Sequence, residues 1–309
     1  AKAERYRPAF AAIMQLPMSL FMGASLSYDA TLLGCYYLML ALLTRKEWNT
    51  QTAGIYTAAC IFVNIAKPYL NLLWVLPIFL VAKREWHAKG RRPLWALGGF
   101  GGAMAVTLLT EWYGTAFRYN YPMIERQGGS TVNGGEQLAF VLRNPLRTIA
   151  AFCGTLGEND FFIGQLGLFG WKDLPISFLN LTGPLVLLLA ALLAAAQPKR
   201  ADAFPTRRRV GGAALLALVY AAGAMAAMYI TYTPVGMVRI VGLQARYFLC
   251  VWLALLPALA VLLRKTICPA ITEEKAEAAI TPLCACYAVF GAVLLFQHYF
   301  VGPVYVVYA

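Results

Sequence analysis

The sequence predicts an all-α fold, a polytopic membrane helical bundle, on three observations. Of its 309 residues, 60% are hydrophobic and only 13% charged, whereas a soluble domain carries about 45–50% apolar and about 25% charged residues. The apolar residues gather into nine runs, and the basic residues cluster on alternate linkers between them. Two soluble domains, a disordered chain, a disulfide scaffold and a coiled coil are thereby excluded, leaving a single transmembrane domain over residues 1–309.

The runs cover 10–26, 30–44, 52–66, 69–82, 93–110, 176–197, 211–231, 246–263 and 280–298. Each is expected to be a helix, because lipid offers no partner for a strand's free N–H and C=O groups. Several are shorter than the roughly 20 residues of a full span. The chain starts at Ala1 with no signal-peptide pattern before the first run, so it reads as part of a longer chain or a processed one.

The linkers set the orientation. Lys2/Arg5/Arg7, Arg45/Lys46, Lys83 to Arg92, Lys199 to Arg209 and Arg264/Lys265/Lys275 place 18 of the 26 basic residues on one side. The 14 acids divide equally, so that side carries +11 and the other +1. The basic side is expected in the cytoplasm. The net charge of +12 is then a topology signal and not a nucleic-acid footprint, and contact with anionic membrane lipid is its ordinary consequence.

The opposite, extracytoplasmic side should hold the Ser27-Tyr28-Asp29 turn, Lys67-Pro68, the long loop 111–175, the stretch 232–245 and the C-terminal tail. Of these linkers, the 111–175 loop has room for structure of its own. Its first part is rich in aromatics and in Gly pairs, which favour a mobile loop. From Glu136, apolar residues recur at Leu138, Val141, Leu142, Leu146, Ile149 and Phe152, with Arg143 and Arg147 between them. The pattern predicts an amphipathic helix on the membrane interface, broken near Asn144-Pro145. It would serve either as a packing strap between spans or as a lid over a lipid substrate.

Glu158 and Asp160 stand two residues apart, a spacing that suits a shared divalent cation (Mg or Mn) or one catalytic base. The same pair would also serve as solvated or helix-capping acids. Asp29 is placed at membrane depth on a very short turn, where an acid is expensive and tends to be functional or paired. It equally suits the cap of the helix that follows. Lys67, Arg239 and Arg246, with Gln244 beside the last, are cations and a donor on an otherwise near-neutral face, the groups a lipid phosphate needs. Each cation would alternatively anchor a helix at the interface.

Other signals carry less. The seven cysteines form no C-x-x-C pair, and His87 and His298 fall on opposite sides. Gly98-Gly99-Phe100-Gly101-Gly102 follows no strand and is expected to be a close-packing helix surface. There is no P-loop, which speaks against direct ATP-driven transport, and no convincing internal repeat.

Four strings stand in order: Leu16-Pro17-Met18 with Ala24 to Asp29, Lys67-Pro68-Tyr69, Gly167 to Pro175, and Thr233-Pro234-Val235-Gly236 through Gly242 to Phe248. Over residues 10–260 they resemble the bacterial domain-of-unknown-function 2142 family of multispanning membrane proteins, found near genes for cell-surface polysaccharides. The family usually has a second Gly where this chain has Ala245. It also has an earlier span and an outer acidic loop not seen here. In the related C-superfamily (GT-C) glycosyltransferases, that loop supplies the catalytic carboxylate.

The resemblance implies a GT-C-like enzyme of the bacterial inner membrane. Its donor would be a polyprenyl-phosphate-linked sugar and its partner a glycan acceptor. On that likeness the main base is expected upstream of Ala1, with Asp29 a supporting residue at best. Within this chain Asp29, Glu158 and Asp160 stay the candidate catalytic acids, and Lys67, Arg239, Gln244 and Arg246 the phosphate ligands. Tyr28, Trp171 and Asp173 are the matching substrate-binding positions. A polysaccharide polymerase or ligase, a transporter of the same lipid and a scaffold subunit are the alternatives. Transport would need polar residues at mid-membrane depth, and Gln15, Asn64 and Asn71 are those available.

Overall fold

The computed structural model describes residues 10–24, 28–45, 47–66, 73–88, 92–117, 132–157, 178–195, 207–248, 255 and 273–301. The described residues are almost entirely helical, with no strand among them. In order they form α1 (Pro17–Ala24), α2 (Tyr28–Leu43), α3 (Thr50–Ala66), α4 (Leu76–Leu80), α5 (Arg92–Phe117), α6 (Gly134–Arg143), α7 (Pro145–Leu156), α8 (Phe178–Ala195), α9 (Arg207–Tyr232) and α10 (Glu273–Phe296).

Of these, α9 over Val210–Tyr232 and α10 over Ala278–Phe296 are long and apolar enough to cross a membrane, and α1 with α2 would make a third, bent span. Most of the expected runs therefore coincide with helices, while nine full spans are not what the described residues contain.

The helices α2 and α3 pack on each other as a hairpin. Asn49 caps α3 by accepting the Thr52 amide at 2.8 Å, as a short polar side chain at a helix start does. Arg45 Nη1 donates to Thr52 Oγ1 at 3.1 Å across the same turn. Tyr37 on α2 donates to Ser19 on α1 at 3.2 Å, and α5 packs on the other flank of α3.

In the run 69–82, residues 69–72 lie outside the described residues, and the described remainder departs from expectation. Residues 73–75 form a single 3-10 turn, α4 is five residues long, and the backbone is extended at Val81 and Ala82. Irregular backbone at membrane depth survives only where protein shields it. Here Leu73, Trp74, Leu76, Leu80 and Val81 are all buried, α4 lies against α9, and the Leu73 carbonyl accepts the Tyr56 hydroxyl at 2.6 Å. The sequence pattern marked the apolar content of this segment but not that its neighbours make a helix unnecessary.

The return segment ends beside the start of α3. Trp48 donates its amide to the Glu85 carbonyl at 2.7 Å, and His87 returns one to the Trp48 carbonyl at 2.9 Å, a short parallel bridge between Trp48 and Trp86. Trp48 stacks on Trp86 at 5.8 Å and meets Tyr56 and Trp95 edge-on at 5.3 and 6.0 Å, and Trp95 in turn meets Trp86 edge-on at 5.8 Å and Tyr56 at a tilt at 6.2 Å. A Cβ on Gly212, near the start of α9, would fall on the Phe79 ring. These contacts bring Arg45, Lys83 and the first turns of α5 and α9 toward one another; most of the other basic linker residues lie outside the described residues.

The glycine run on α5 behaves differently from expectation. Among the described residues Gly99 meets a neighbour, the Trp74 ring, and Gly98, Gly101 and Gly102 meet none. Elsewhere, Gly183 on α8 accepts the Tyr287 ring of α10 where any larger residue would clash.

Candidate functional site

Three of the described candidates share the loop 233–248, which follows the end of α9. Pro234 has no amide to extend α9. Thr233 Oγ1 donates to the Met228 carbonyl and accepts the Val241 amide, both at 3.1 Å, so one hydroxyl ends the helix and closes the loop. Tyr229 donates to the Met237 carbonyl at 2.7 Å, and Tyr220 to the Tyr247 carbonyl at 3.2 Å. Two left-handed residues turn the chain, Gly236 at φ +74° and Gly242 at φ +75°, where glycine alone avoids the steric cost.

The α6–α7 pair clamps this loop from the side. Gln137 Oε1 accepts the Gly236 amide at 2.9 Å. Thr155 Oγ1 accepts the Ile240 amide at 2.9 Å while donating to the Ala151 carbonyl at 2.8 Å. Gly134 abuts the Ile230 carbonyl, and the Phe140 ring lies against Gly236. The pair meets at Asn144, where Pro145 occupies the first position of α7, so the break falls where the sequence placed it. Asn133 caps α6, accepting from Gly135 and Glu136 at 3.1 and 3.2 Å.

Three loop amides thus end on side-chain oxygens of Gln137, Thr155 and Thr233. Ile240, Leu243 and Phe248 are buried beneath the loop, whereas Arg239 is exposed and Gln244 half-buried. The backbone of Arg246 lies in the short 3-10 helix Ala245–Phe248. Arg239, Gln244 and Arg246 are therefore carried by one loop pinned to rigid helices. Exposed Arg143 and Arg147 on α6 and α7 add to the positive charge at this end.

Asp29 is buried in the first turn of α2. The α2–α3 hairpin turns at the aromatic cluster, so Asp29 sits at the opposite end of it, as Asn64 does on α3. Asn64 is 1% exposed with neither amide atom hydrogen-bonded. Tyr28 belongs to the same first turn. Lys67, Glu158, Asp160, Trp171 and Asp173 lie outside the described residues. Among the described residues no group of three His, Cys, Asp or Glu stands close enough to hold a metal.

The residues that hold the loop, Gln137, Thr155, Thr233 and Tyr229, were not singled out from sequence. A signal existed for two of them: Gln137, Thr148, Ala151 and Thr155 trace one small-polar stripe opposite Leu138 and Leu142.

The family model described as "Predicted membrane protein (DUF2142)" matches residues 1–255. No curated protein and no solved structure matches the chain.

Proposed function

The chain belongs to the DUF2142 family of predicted membrane proteins, and from that premise we propose a membrane glycosyltransferase-like protein of the bacterial inner membrane. It acts at the extracytoplasmic face on a polyprenyl-phosphate-linked sugar, in the assembly of cell-surface polysaccharide. The observation that carries this reading is the 233–248 loop, which presents Arg239 from a backbone fixed by Gln137, Thr155 and Thr233.

With the basic end in the cytoplasm, that loop is extracytoplasmic, at the level where a polyprenyl phosphate carries its charge. Arg239 and Arg246, with Gln244 and Lys67, hold the leaving phosphate as negative charge develops on it. Asp29 serves the acceptor hydroxyl as base or supports a carboxylate that does. Glu158 and Asp160 are the other candidate acids and the pair to which Mg or Mn would bind. Tyr28, Trp171 and Asp173 line the sugar and the glycan acceptor.

The test is binding of a polyprenyl-phosphate sugar to the purified full chain. Arg239→Ala and Arg246→Ala should each weaken saturable binding about 10- to 100-fold, the worth of one charged hydrogen bond. Unchanged binding in both variants, or none in the wild type, overturns the reading.

Asn64 favours a second reading, transport of the same lipid, because both its amide atoms are buried and unbonded. Asn64→Leu separates the two: a transferase keeps transfer activity, and a transporter loses translocation.

A further inference from the structure

The α6–α7 pair is built inside out. Its buried face is polar or small, made of Gln137, Thr148, Ala151 and Thr155, and meets the 233–248 loop and α9. Its apolar stripe points away from the protein: Leu138 is 45% exposed, Leu142 74%, Leu146 80% and Ile149 57%. The stripe continues across the Asn144 break, so the kink leaves the four residues on one outward face. A helix packed on a soluble core has the reverse arrangement. The loop adds to the same side, since Val238 is 76% exposed and its carbonyl lies beside Gly154 of α7.

We infer that Leu138, Leu142, Leu146 and Ile149, extended by Val238, form a face that docks on the phospholipid surface, at the boundary between headgroups and acyl chains. The depth follows from the contact of Gly134 with Ile230, which lies in the last turn of an apolar helix long enough to span, Val210–Tyr232. The charges agree with a lipid occupant. Exposed Arg143 and Arg147 flank the stripe, and long cationic side chains at this level reach lipid phosphates while their stems stay apolar. A second protein copy on the same face would crowd those two guanidiniums into an interface, where charged residues are depleted at the core. The inference stands whether or not the 233–248 loop binds a ligand, so it can fail separately from the transferase reading.

The test is nitroxide accessibility of the full chain in phospholipid nanodiscs. Labels go on Leu142→Cys, Leu146→Cys and Ile149→Cys in turn, with the chain's other cysteines changed to Ser, and on Glu136→Cys as the polar control. All four positions are exposed, and the native, exposed Cys153 takes a fifth label without a new substitution. Labels on the stripe should be relaxed more by oxygen than by a water-soluble nickel chelate, and the label at position 136 should show the opposite order. Nickel preference along the stripe would put it in water and overturn the inference. Protection from both relaxants would mean that a second copy or another segment covers it, and would overturn it equally.

Discussion

A few side-chain oxygens settle the shape of the loop that carries Arg239. Gln137, Thr155 and Thr233 each receive a backbone amide there, and removing such a partner leaves a buried donor unsatisfied at about 1–3 kcal/mol. Gln137→Leu and Thr155→Val should each lower the thermal unfolding midpoint of the purified chain by that equivalent. A control at exposed Leu142 should not. Gly236→Ala and Gly242→Ala should cost about 1–2 kcal/mol each for the left-handed backbone. Gly242→Ala should cost more of the two, because its Cβ would stand 2.6 Å from the Tyr232 ring. Asn64 runs the other way. Its two amide atoms are buried without partners, an arrangement that itself costs about 1–3 kcal/mol. Asn64→Leu should raise the midpoint, and a fall would reveal a polar partner or ligand at that position.

Helices in this chain owe their placement to contacts more than to propensity. The run 69–82 is apolar enough to be read as a helix, yet its described part, from residue 73, is a 3-10 turn, the short α4 and extended backbone. Burial of Leu73, Trp74, Leu76 and Leu80 and the Tyr56–Leu73 hydrogen bond replace what a helix would supply. The segment is held at its end by the Trp48, Trp86, Trp95 and Tyr56 cluster. Trp48 is 1% exposed, and Trp48→Ala should cost about 3–5 kcal/mol, read as a fall in midpoint with a red shift in tryptophan emission. The α8–α10 pair depends in the same way on Gly183. A Cβ there would enter the Tyr287 ring, so Gly183→Val should separate the two helices while leaving the α2–α3 hairpin intact. Limited proteolysis between α8 and α10 would show the difference.

Taken whole, the molecule has two unlike ends. One gathers Arg45, Lys83 and the starts of α5 and α9 around the tryptophan cluster. The far end of α9 carries the clamped 233–248 loop. The 23 apolar residues of Val210–Tyr232 separate them, a helix of roughly 35 Å at 1.5 Å per residue, enough for a bilayer core of about 30 Å. In a chain whose native cysteines are changed to Ser, cysteines placed at Lys83 and at Val235, both exposed, should therefore react with a membrane-impermeant maleimide from opposite sides of oriented vesicles. Labelling of both from one side would overturn this division.

Membrane class, helical content and the break at Asn144-Pro145 were legible in the amino acids alone. Hydropathy, charge and proline each act through the residue that carries them, so their pattern along the chain survives folding. Tertiary structure decided the rest. Gln137 meets the Gly236 amide across 99 positions of sequence, and nothing local to either residue announces that pairing. The amphipathic period of 134–156 was readable, but which face meets protein was not: the loop's free amides draw the polar stripe inward and leave the leucines outside. The return segment gave up its helix for the same kind of reason, because the groups that shield and bond its backbone come from α3, α5 and α9.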